Sequence, residues 1–182
     1  MHFEPLRASD RQRVSDILIA TDAFAEDEIA VALELFDEVH ARVTDPHAEG
    51  TAFAISASHK ADYELVGAYD DEGLLLGYAC FGPTPSTNGT YDLYWLAVHP
   101  EAQGRGAGRQ LVRWVEQHLA RRGARLLVVE TSSRTSYTRT REFYTRAGYA
   151  ETARVRDFYA PADDRIIFTT RLAARAVGAA TP

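Results

Sequence analysis

Apolar residues recur at helical spacing in the first part of the chain and then fall into runs of strand length. A first helix is predicted around Val14 and a second from about Asp27, because hydrophobic positions there repeat every three or four residues. The later apolar runs are short and separated by turn residues, which favours a β-hairpin folded at 70–73 and a third strand after the loop at 82–89. The first half therefore places two helices before a set of strands.

The second half alternates strands with helices. An aromatic-rich strand, with Trp95 expected in the core, precedes an amphipathic helix and a further apolar strand. This strand–helix–strand order predicts two parallel neighbours in one sheet. The predicted elements are a strand at 91–98, a helix closed by Gly123, a strand at 125–130, a helix ending near Gly148, and strands at 151–159 and 165–172.

The mixture of elements predicts an α/β (α+β) fold with a mixed, mostly antiparallel sheet and helices on both faces. A chain of 182 residues fits one ordinary domain, which we assign to 1–172. The alanine-rich stretch at 173–182 is expected to be a C-terminal tail.

Charge is distributed unevenly along the chain. The net charge is −6, but residues 1–92 carry 18 acidic and 5 basic residues, whereas residues 93–182 carry 8 acidic and 15 basic ones. This asymmetry is typical of a protein that binds an anion with its C-terminal half and a cation with its N-terminal half. Nucleic-acid binding is disfavoured, because the basic residues are scattered and the whole chain is acidic.

Several classes of protein are disfavoured by composition. No stretch is long and apolar enough for a membrane helix, and the first residues show no targeting signal. The single cysteine, Cys80, excludes an internal disulfide, so a cytoplasmic location is expected, and its apolar neighbours predict a buried structural thiol. Six histidines without ligand spacing predict no metal site.

The stretch between the aromatic strand and the next helix is rich in glycine. Gly104, Gly106 and Gly108 allow a ligand to approach the backbone closely, and the free amides at a helix start favour a phosphate. Arg105 and Arg109 add positive charge. The dinucleotide fingerprint G-x-G-x-x-G fails because Arg109 stands at its third glycine, and no Gly-Lys-Ser or Gly-Lys-Thr is present for a P-loop. The run predicts a phosphate cradle of another kind.

The same run fits the pattern Q/R-x-x-G-x-G/A through Gln103, Gly106 and Gly108, and here the chain resembles the GNAT superfamily of acyl-CoA-dependent N-acyltransferases. The segment 94–100 resembles the strand before the cradle in that family, and 141–149 resembles its helix of the form F-Y-x-x-x-G-F/Y. Together the matches span about 91–172, whereas the N-terminal half matches only in the order of its elements.

The resemblance implies a single GNAT-like domain whose central parallel strands splay apart around acetyl-CoA. Residues 1–90 would form the acceptor-side half and 91–172 the acetyl-CoA-binding half. Strand backbone would pair with pantetheine, and the amides of the cradle would hold the pyrophosphate. Family members often carry an asparagine at the start of the last helix, where this sequence has Ser136, Tyr137 and Thr138. The implied cofactor-binding residues are Leu96, Ala97, Val98, Gln103, Gly104, Arg105, Gly106, Ala107, Gly108 and Arg109.

Acetylation by a thioester requires a neutral amine. A lysine-like amine has a pKa of about 10.4, so its deprotonation at pH 7 costs about 4.6 kcal/mol and a general base is expected. Glu130 and Asp92 each resemble a carboxylate that serves as base in some family members, and Glu130 is favoured for its longer side chain at the C-terminal end of a strand. Tyr144 resembles the acid that protonates the departing CoA thiolate.

The expected function is therefore transfer of an acetyl group from acetyl-CoA to a primary amine. The acidic N-terminal half favours a small cationic acceptor, such as an aminoglycoside-like antibiotic or a polyamine, and a peptide or protein amine is the alternative. A module that senses acyl-CoA without turnover is an alternative of another class, and a dinucleotide-dependent oxidoreductase is a third. Neither nucleic acid nor a membrane is expected as a partner, and the resemblance allows a homodimer.

Overall fold

The computed structural model describes residues 1–44 and 63–172. Two helices precede a run of strands that is interrupted by two further helices, as predicted, and a short strand comes before the first helix. The expected tail at 173–182 lies outside the described residues. No helix in the described ranges has the length and apolar character needed to cross a membrane. In chain order the elements are β1 (His2–Pro5), α1 (Arg11–Ala20), α2 (Glu26–Thr44), β2 (Glu64–Tyr69), β3 (Leu75–Pro83), β4 (Thr90–Val98), α3 (Ala107–Arg121), β5 (Leu126–Ser132), α4 (Thr138–Arg146), β6 (Ala150–Ala160) and β7 (Asp163–Arg171).

The seven strands form one mixed sheet in the order β1-β2-β3-β4-β5-β7-β6. Every neighbouring pair is antiparallel except β4 and β5, which are parallel and joined through α3. The predicted strand–helix–strand unit is thus confirmed. The predicted hairpin is present between β2 and β3, where Asp70 accepts the N–H of Leu74 at 2.8 Å and Gly73 has a φ of 84°.

Helices cover both faces of the sheet, as the predicted fold class requires. α3 and α4 pack on one face through residues such as Leu111 and Tyr144, and α1 and α2 pack on the other through Ile17 and Phe36. Cys80 belongs to the second core and is 2% exposed. Burial raises the pKa of its thiol to about 12, which confirms the structural assignment of this cysteine.

An irregularity in β4 shapes the centre of the sheet. Leu93 and Trp95 pair with consecutive residues of β3, so Tyr94 between them is an extra residue and forms a β-bulge. Tyr94 and Trp95 consequently both pack against the core on the α1–α2 face. The ladder between β4 and β5 ends at the pair Leu93–Val129, and beyond it the two parallel strands are no longer paired. This opening positions the candidate site.

Candidate active site

The glycine-rich run forms a turn at the start of α3. Gly104 and Gly106 have φ values of 73° and 85°, a region that residues with a Cβ rarely adopt. Gly106 is the N-cap residue, and no side chain caps the helix, so the first amides of α3 are free to bind an anion. The Gln103 side chain donates from Nε2 to the carbonyl oxygen of Val98 at 3.0 Å. The turn therefore combines open amides with a fixed position at the end of β4.

This turn and the unpaired end of β4 line a cavity of about 790 Å³, which we call the larger cavity. The backbone of β4 lies beyond the parallel ladder here, so its groups on the β5 side are available to a ligand. Arg105 is absent from the lining. The other nine predicted cofactor-binding residues line this cavity: Leu96, Ala97, Val98, Gln103, Gly104, Gly106, Ala107, Gly108 and Arg109.

α4 forms another wall of the larger cavity and carries residues that the sequence reasoning missed. Arg139, Phe143 and Arg146 line it at the spacing i, i+4, i+7, which is one face of the helix. Ser136 and Tyr137, from the segment that replaces the family's asparagine, also line it. The sequence shows the helical spacing of the two arginines, but only the structure shows that this face of α4 and the glycine-rich turn line the same cavity.

Tyr144 lies on the inner side of α4, is 3% exposed and lines the larger cavity. Its ring packs against Phe143, Tyr149 and Phe168, with centroid separations of 5.1, 5.4 and 6.0 Å. Its hydroxyl has no hydrogen-bond partner within residues 1–44 and 63–172. Burial raises the pKa of this phenol above its ordinary value, so Tyr144 is protonated at neutral pH. The side chain is both a core aromatic and a potential proton donor.

A second cavity of about 490 Å³, the smaller cavity, adjoins the first. It is bounded by β4, β5 and β7, by the start of α2 and by the turn before α4. Both predicted base candidates, Asp92 and Glu130, line it, and so does a third carboxylate, Glu28, that the sequence reasoning had assigned to no role. Aromatic side chains complete much of the wall: Phe24, Tyr94, Trp95, Tyr137 and Tyr159.

The three carboxylates have different partners. Asp92 is half-buried, and its Oδ2 accepts a hydrogen bond from the Thr84 hydroxyl at 2.6 Å. Glu130 pairs with Arg165 of β7. Glu28 accepts a backbone N–H at the start of α2 at 2.8 Å, and so helps to cap that helix. The charge of Glu130 is therefore compensated within the cavity, whereas those of the other two are not.

Seven residues line both cavities and mark where they meet. Glu130 is the single carboxylate among these seven. Trp95, which was expected in the core, is only partly buried there and also forms part of the junction. Tyr137 donates its hydroxyl to the carbonyl oxygen of Ala23 at 3.1 Å, which joins the α1–α2 connection to the turn before α4. The shared residues are Phe24, Leu93, Tyr94, Trp95, Glu130, Thr131 and Tyr137.

The larger cavity suits an elongated ligand that carries phosphates at one end and amides along its length. Open amides at the start of α3 and the guanidinium groups of Arg109 and Arg139 suit the phosphates, and the free backbone of β4 suits the amides. Coenzyme A has these parts. No group of His, Cys, Asp and Glu side chains in the described ranges is arranged to hold a metal ion.

A parallel strand pair that opens beside a helix start with open amides, with a second cavity alongside, is the arrangement expected of a CoA-dependent acyltransferase. A sequence model of the acetyltransferase (GNAT) family matches residues 27–149, more than half of the chain. The chain belongs to the GNAT acetyltransferase family, and acetyl-CoA is its co-substrate. The resemblance that the motifs indicated and the predicted fold class are both confirmed.

Solved structures agree with this assignment. A GNAT-family protein of Desulfovibrio desulfuricans is 38% identical, covers 94% of this chain and 99% of its own, and superimposes with a TM-score of 0.80. The ribosomal-protein-S18-alanine N-acetyltransferase of Escherichia coli is 17% identical, with coverages of 100% and 98% and a TM-score of 0.67. An aminoglycoside 6'-N-acetyltransferase complexed with coenzyme A is 16% identical, with coverages of 96% and 99% and a TM-score of 0.67. The last two likenesses concern the fold alone. A search of curated proteins found no match.

Proposed function

We propose that the protein transfers the acetyl group of acetyl-CoA directly to a primary amine of a small cationic molecule, such as an aminoglycoside-like antibiotic or a polyamine. The observation that carries this proposal is the smaller cavity, which meets the larger one at Glu130 and is lined by three carboxylates and two arginines. Carboxylates and aromatic faces both attract ammonium groups. A volume of about 490 Å³ suits a small molecule.

Glu130 is the general base in this proposal. It lines both cavities and therefore lies where the acceptor nitrogen must meet the thioester. Asp92 lines the smaller cavity alone, which supports the sequence-based preference for Glu130. Proton transfer through one water molecule is compatible with the same placement.

Tyr144 is the general acid. It lines the larger cavity, is protonated at neutral pH, and has no competing hydrogen bond within the described residues. A phenol is a weaker acid than a thiol, so Tyr144 acts by hydrogen bonding to the sulfur as negative charge develops, with proton delivery as the bond breaks.

Each bond change and each proton transfer in the reaction can be assigned to a group. The amine nitrogen forms a bond to the acetyl carbon, and the carbon–sulfur bond breaks. The nitrogen loses two protons: Glu130 takes the first from the ammonium before attack, and water takes the second as the tetrahedral intermediate collapses. Tyr144 supplies the proton that the sulfur gains, so the transfer releases one proton overall. Exchange with water restores both side chains. Acetyl-CoA supplies the activated acyl group, and the products are an acetamide and free CoA thiol.

A panel of amines tests the proposal. The purified protein and acetyl-CoA are incubated with polyamines, aminoglycosides, neutral amines and peptides with free N-termini, and free thiol and product mass are measured. We expect thiol release and addition of one acetyl group with cationic small amines. Tight CoA binding without turnover of any amine would instead support the acyl-CoA sensor, and turnover of peptides alone would support the peptide acetyltransferase.

A further inference from the structure

We infer that the acceptor carries at least two ammonium groups, and that Asp92 binds the one that does not react. The inference rests on the proposed function and narrows it to diamines, polyamines and other multiply aminated small molecules. It also removes Asp92 from the candidates for the general base and makes it a residue that determines specificity.

The first support is the charge balance of the smaller cavity. Both of its arginines are compensated, since Arg165 pairs with Glu130 and Arg134 Nε lies 3.0 Å from Oδ2 of Asp163. Asp92 and Glu28 form no ion pair with any residue in the ranges 1–44 and 63–172. The cavity therefore presents two uncompensated carboxylates to its occupant, and partial burial weakens their screening by water and salt.

The second support is the position of Asp92 relative to the junction. Glu130 lines both cavities, whereas Asp92 lines only the smaller one. Oδ2 of Asp92 accepts a hydrogen bond from Thr84, and the carboxylate, which also interacts with the Tyr94 hydroxyl, keeps further acceptor capacity for a ligand. A carboxylate so placed is suited to an ammonium that lies away from the thioester.

Glu28 faces the same space from the first turn of α2. Glu28 and Tyr137 line the same cavity, and the charge of Glu28 is the next cause, after burial, that raises the pKa of Tyr137. Burial likewise raises the pKa of Tyr94, with the charge of Asp92 as the next cause. The two acids thus lie beside different rings of the cavity.

The chemistry of the transfer is compatible with this division of roles between Glu130 and Asp92. The reacting nitrogen must lose its charge at Glu130, whereas a second nitrogen in the same molecule stays protonated and needs a counter-ion. A monoamine leaves Asp92 uncompensated in the complex, and a diamine of suitable length compensates it. The wild-type cavity should therefore discriminate between the two.

The test compares linear diamines of three to six carbons with monoamines of equal length. Initial rates of CoA thiol release give kcat and KM for the wild type, Asp92→Asn and Glu28→Gln. Glu34→Gln, an exposed change on α2 that removes no hydrogen bond or ion pair within residues 1–44 and 63–172, is the charge-matched control. Calorimetric titration of each amine into the protein saturated with CoA gives a second readout that is independent of turnover.

We expect the wild type and Glu34→Gln to prefer the best diamine by roughly tenfold or more in kcat/KM, as a charge-assisted hydrogen bond provides. Asp92→Asn should bring that preference close to one through a raised KM for the diamine. Glu28→Gln should produce a smaller loss of the same kind.

Two results would overturn the inference while leaving the proposed function intact. One is equal use of monoamines and diamines by the wild type. The other is an Asp92→Asn variant that loses kcat equally for both, since that pattern places Asp92 at the reacting nitrogen. Failure to acetylate any amine would overturn the proposed function and this inference together.

Discussion

The two cavities of this protein are built in different ways. The larger cavity depends on backbone: a turn with two left-handed glycines, the open amides of α3 and the unpaired end of β4. The smaller cavity depends on side chains that come from points as distant in sequence as Phe24 and Arg165. A backbone site leaves a short, contiguous signature, whereas a side-chain site leaves none. This difference explains why the cofactor could be predicted from the sequence, whereas the acceptor could not.

The largest expected effect comes from closing the phosphate-binding turn. Gly106→Val places a β-branched residue at a φ of 85°, so the turn must rearrange and its amides lose their alignment. Losing two charge-assisted hydrogen bonds to phosphate is worth roughly 3 kcal/mol or more, and we expect CoA affinity to fall at least about 100-fold in calorimetry.

Gly123→Val is the matched control for this change. Gly123 has a φ of 81° just after the other end of α3, and a Cβ there would meet no atom within 4 Å. Gly123→Val therefore introduces a comparable backbone strain far from the turn at 103–109. Equal loss of CoA affinity in both variants would assign the effect to stability rather than to binding.

The next effect concerns the proposed acid. Tyr144→Phe should lower kcat by about 30-fold, within the range of general acid catalysis, and leave KM for acetyl-CoA nearly unchanged. Tyr149→Phe is the control, since Tyr149 is a neighbouring buried tyrosine that bonds to Glu116 and lines neither cavity. Unchanged kcat in Tyr144→Phe would reduce Tyr144 to a packing role.

A smaller effect that varies with pH is expected at the proposed base. Glu130→Gln should lower kcat/KM by about tenfold at pH 7, and the deficit should shrink as pH approaches the pKa of the amine, because the substrate then deprotonates without help. Rates measured from pH 6 to pH 10 with a monoamine test this. A loss of kcat/KM that stays constant from pH 6 to pH 10 would contradict the assignment of Glu130 as the general base. So would a pH-dependent loss that appears in Asp92→Asn instead.

The smallest effect concerns the helices that border the acceptor side. Arg11 donates to both oxygens of Asp37, at 2.6 and 2.8 Å, and ties α1 to α2. This hydrogen bonding lowers the pKa of Asp37 below its ordinary value of 3.8. Stability from a lowered carboxyl pKa is present above the ordinary value and is lost as pH falls through the folded value.

Asp37→Asn should therefore reduce the free energy of unfolding by about 0.5 kcal/mol at pH 7 and by less at pH 3, since both side chains are half exposed. Urea denaturation at the two pH values measures this. We expect unchanged CoA affinity, because the pair lies on the acceptor side. A larger loss at pH 3 than at pH 7 would show that the ion pair has another role.

Much of the fold follows from local pattern. The periodicity around Val14 and in α3, the turn at Asp70 and the strand–helix–strand order through α3 predicted the helices, the hairpin and the parallel pair. Strand ends were less accurate: β5 continues to Ser132, two residues past the predicted end at 130. The apolar run in the sequence ends at Glu130, but the pairing of β5 with β7 continues to Ser132 and so extends the strand.

The acceptor side shows why the remainder was not predicted. Glu28 is an acid in the first turn of a helix, a common position for an acidic residue, and nothing in the local sequence indicates that it lines a cavity. Trp95 was expected in the core because nothing in the sequence indicates the bulge at Tyr94. That bulge changes which side of the sheet the following β4 side chains face. Arg165 meets Glu130 only through the pairing of β5 with β7, which is a property of the whole sheet.

A crystal structure of the protein with CoA tests the central claim most directly. That claim is that the turn at 103–109 and the end of β4 hold the co-substrate. We expect diphosphate oxygens within about 3 Å of the amides that open α3, and pantetheine paired with the backbone of 96–98. CoA bound at another surface, with this turn facing only solvent, would contradict the account.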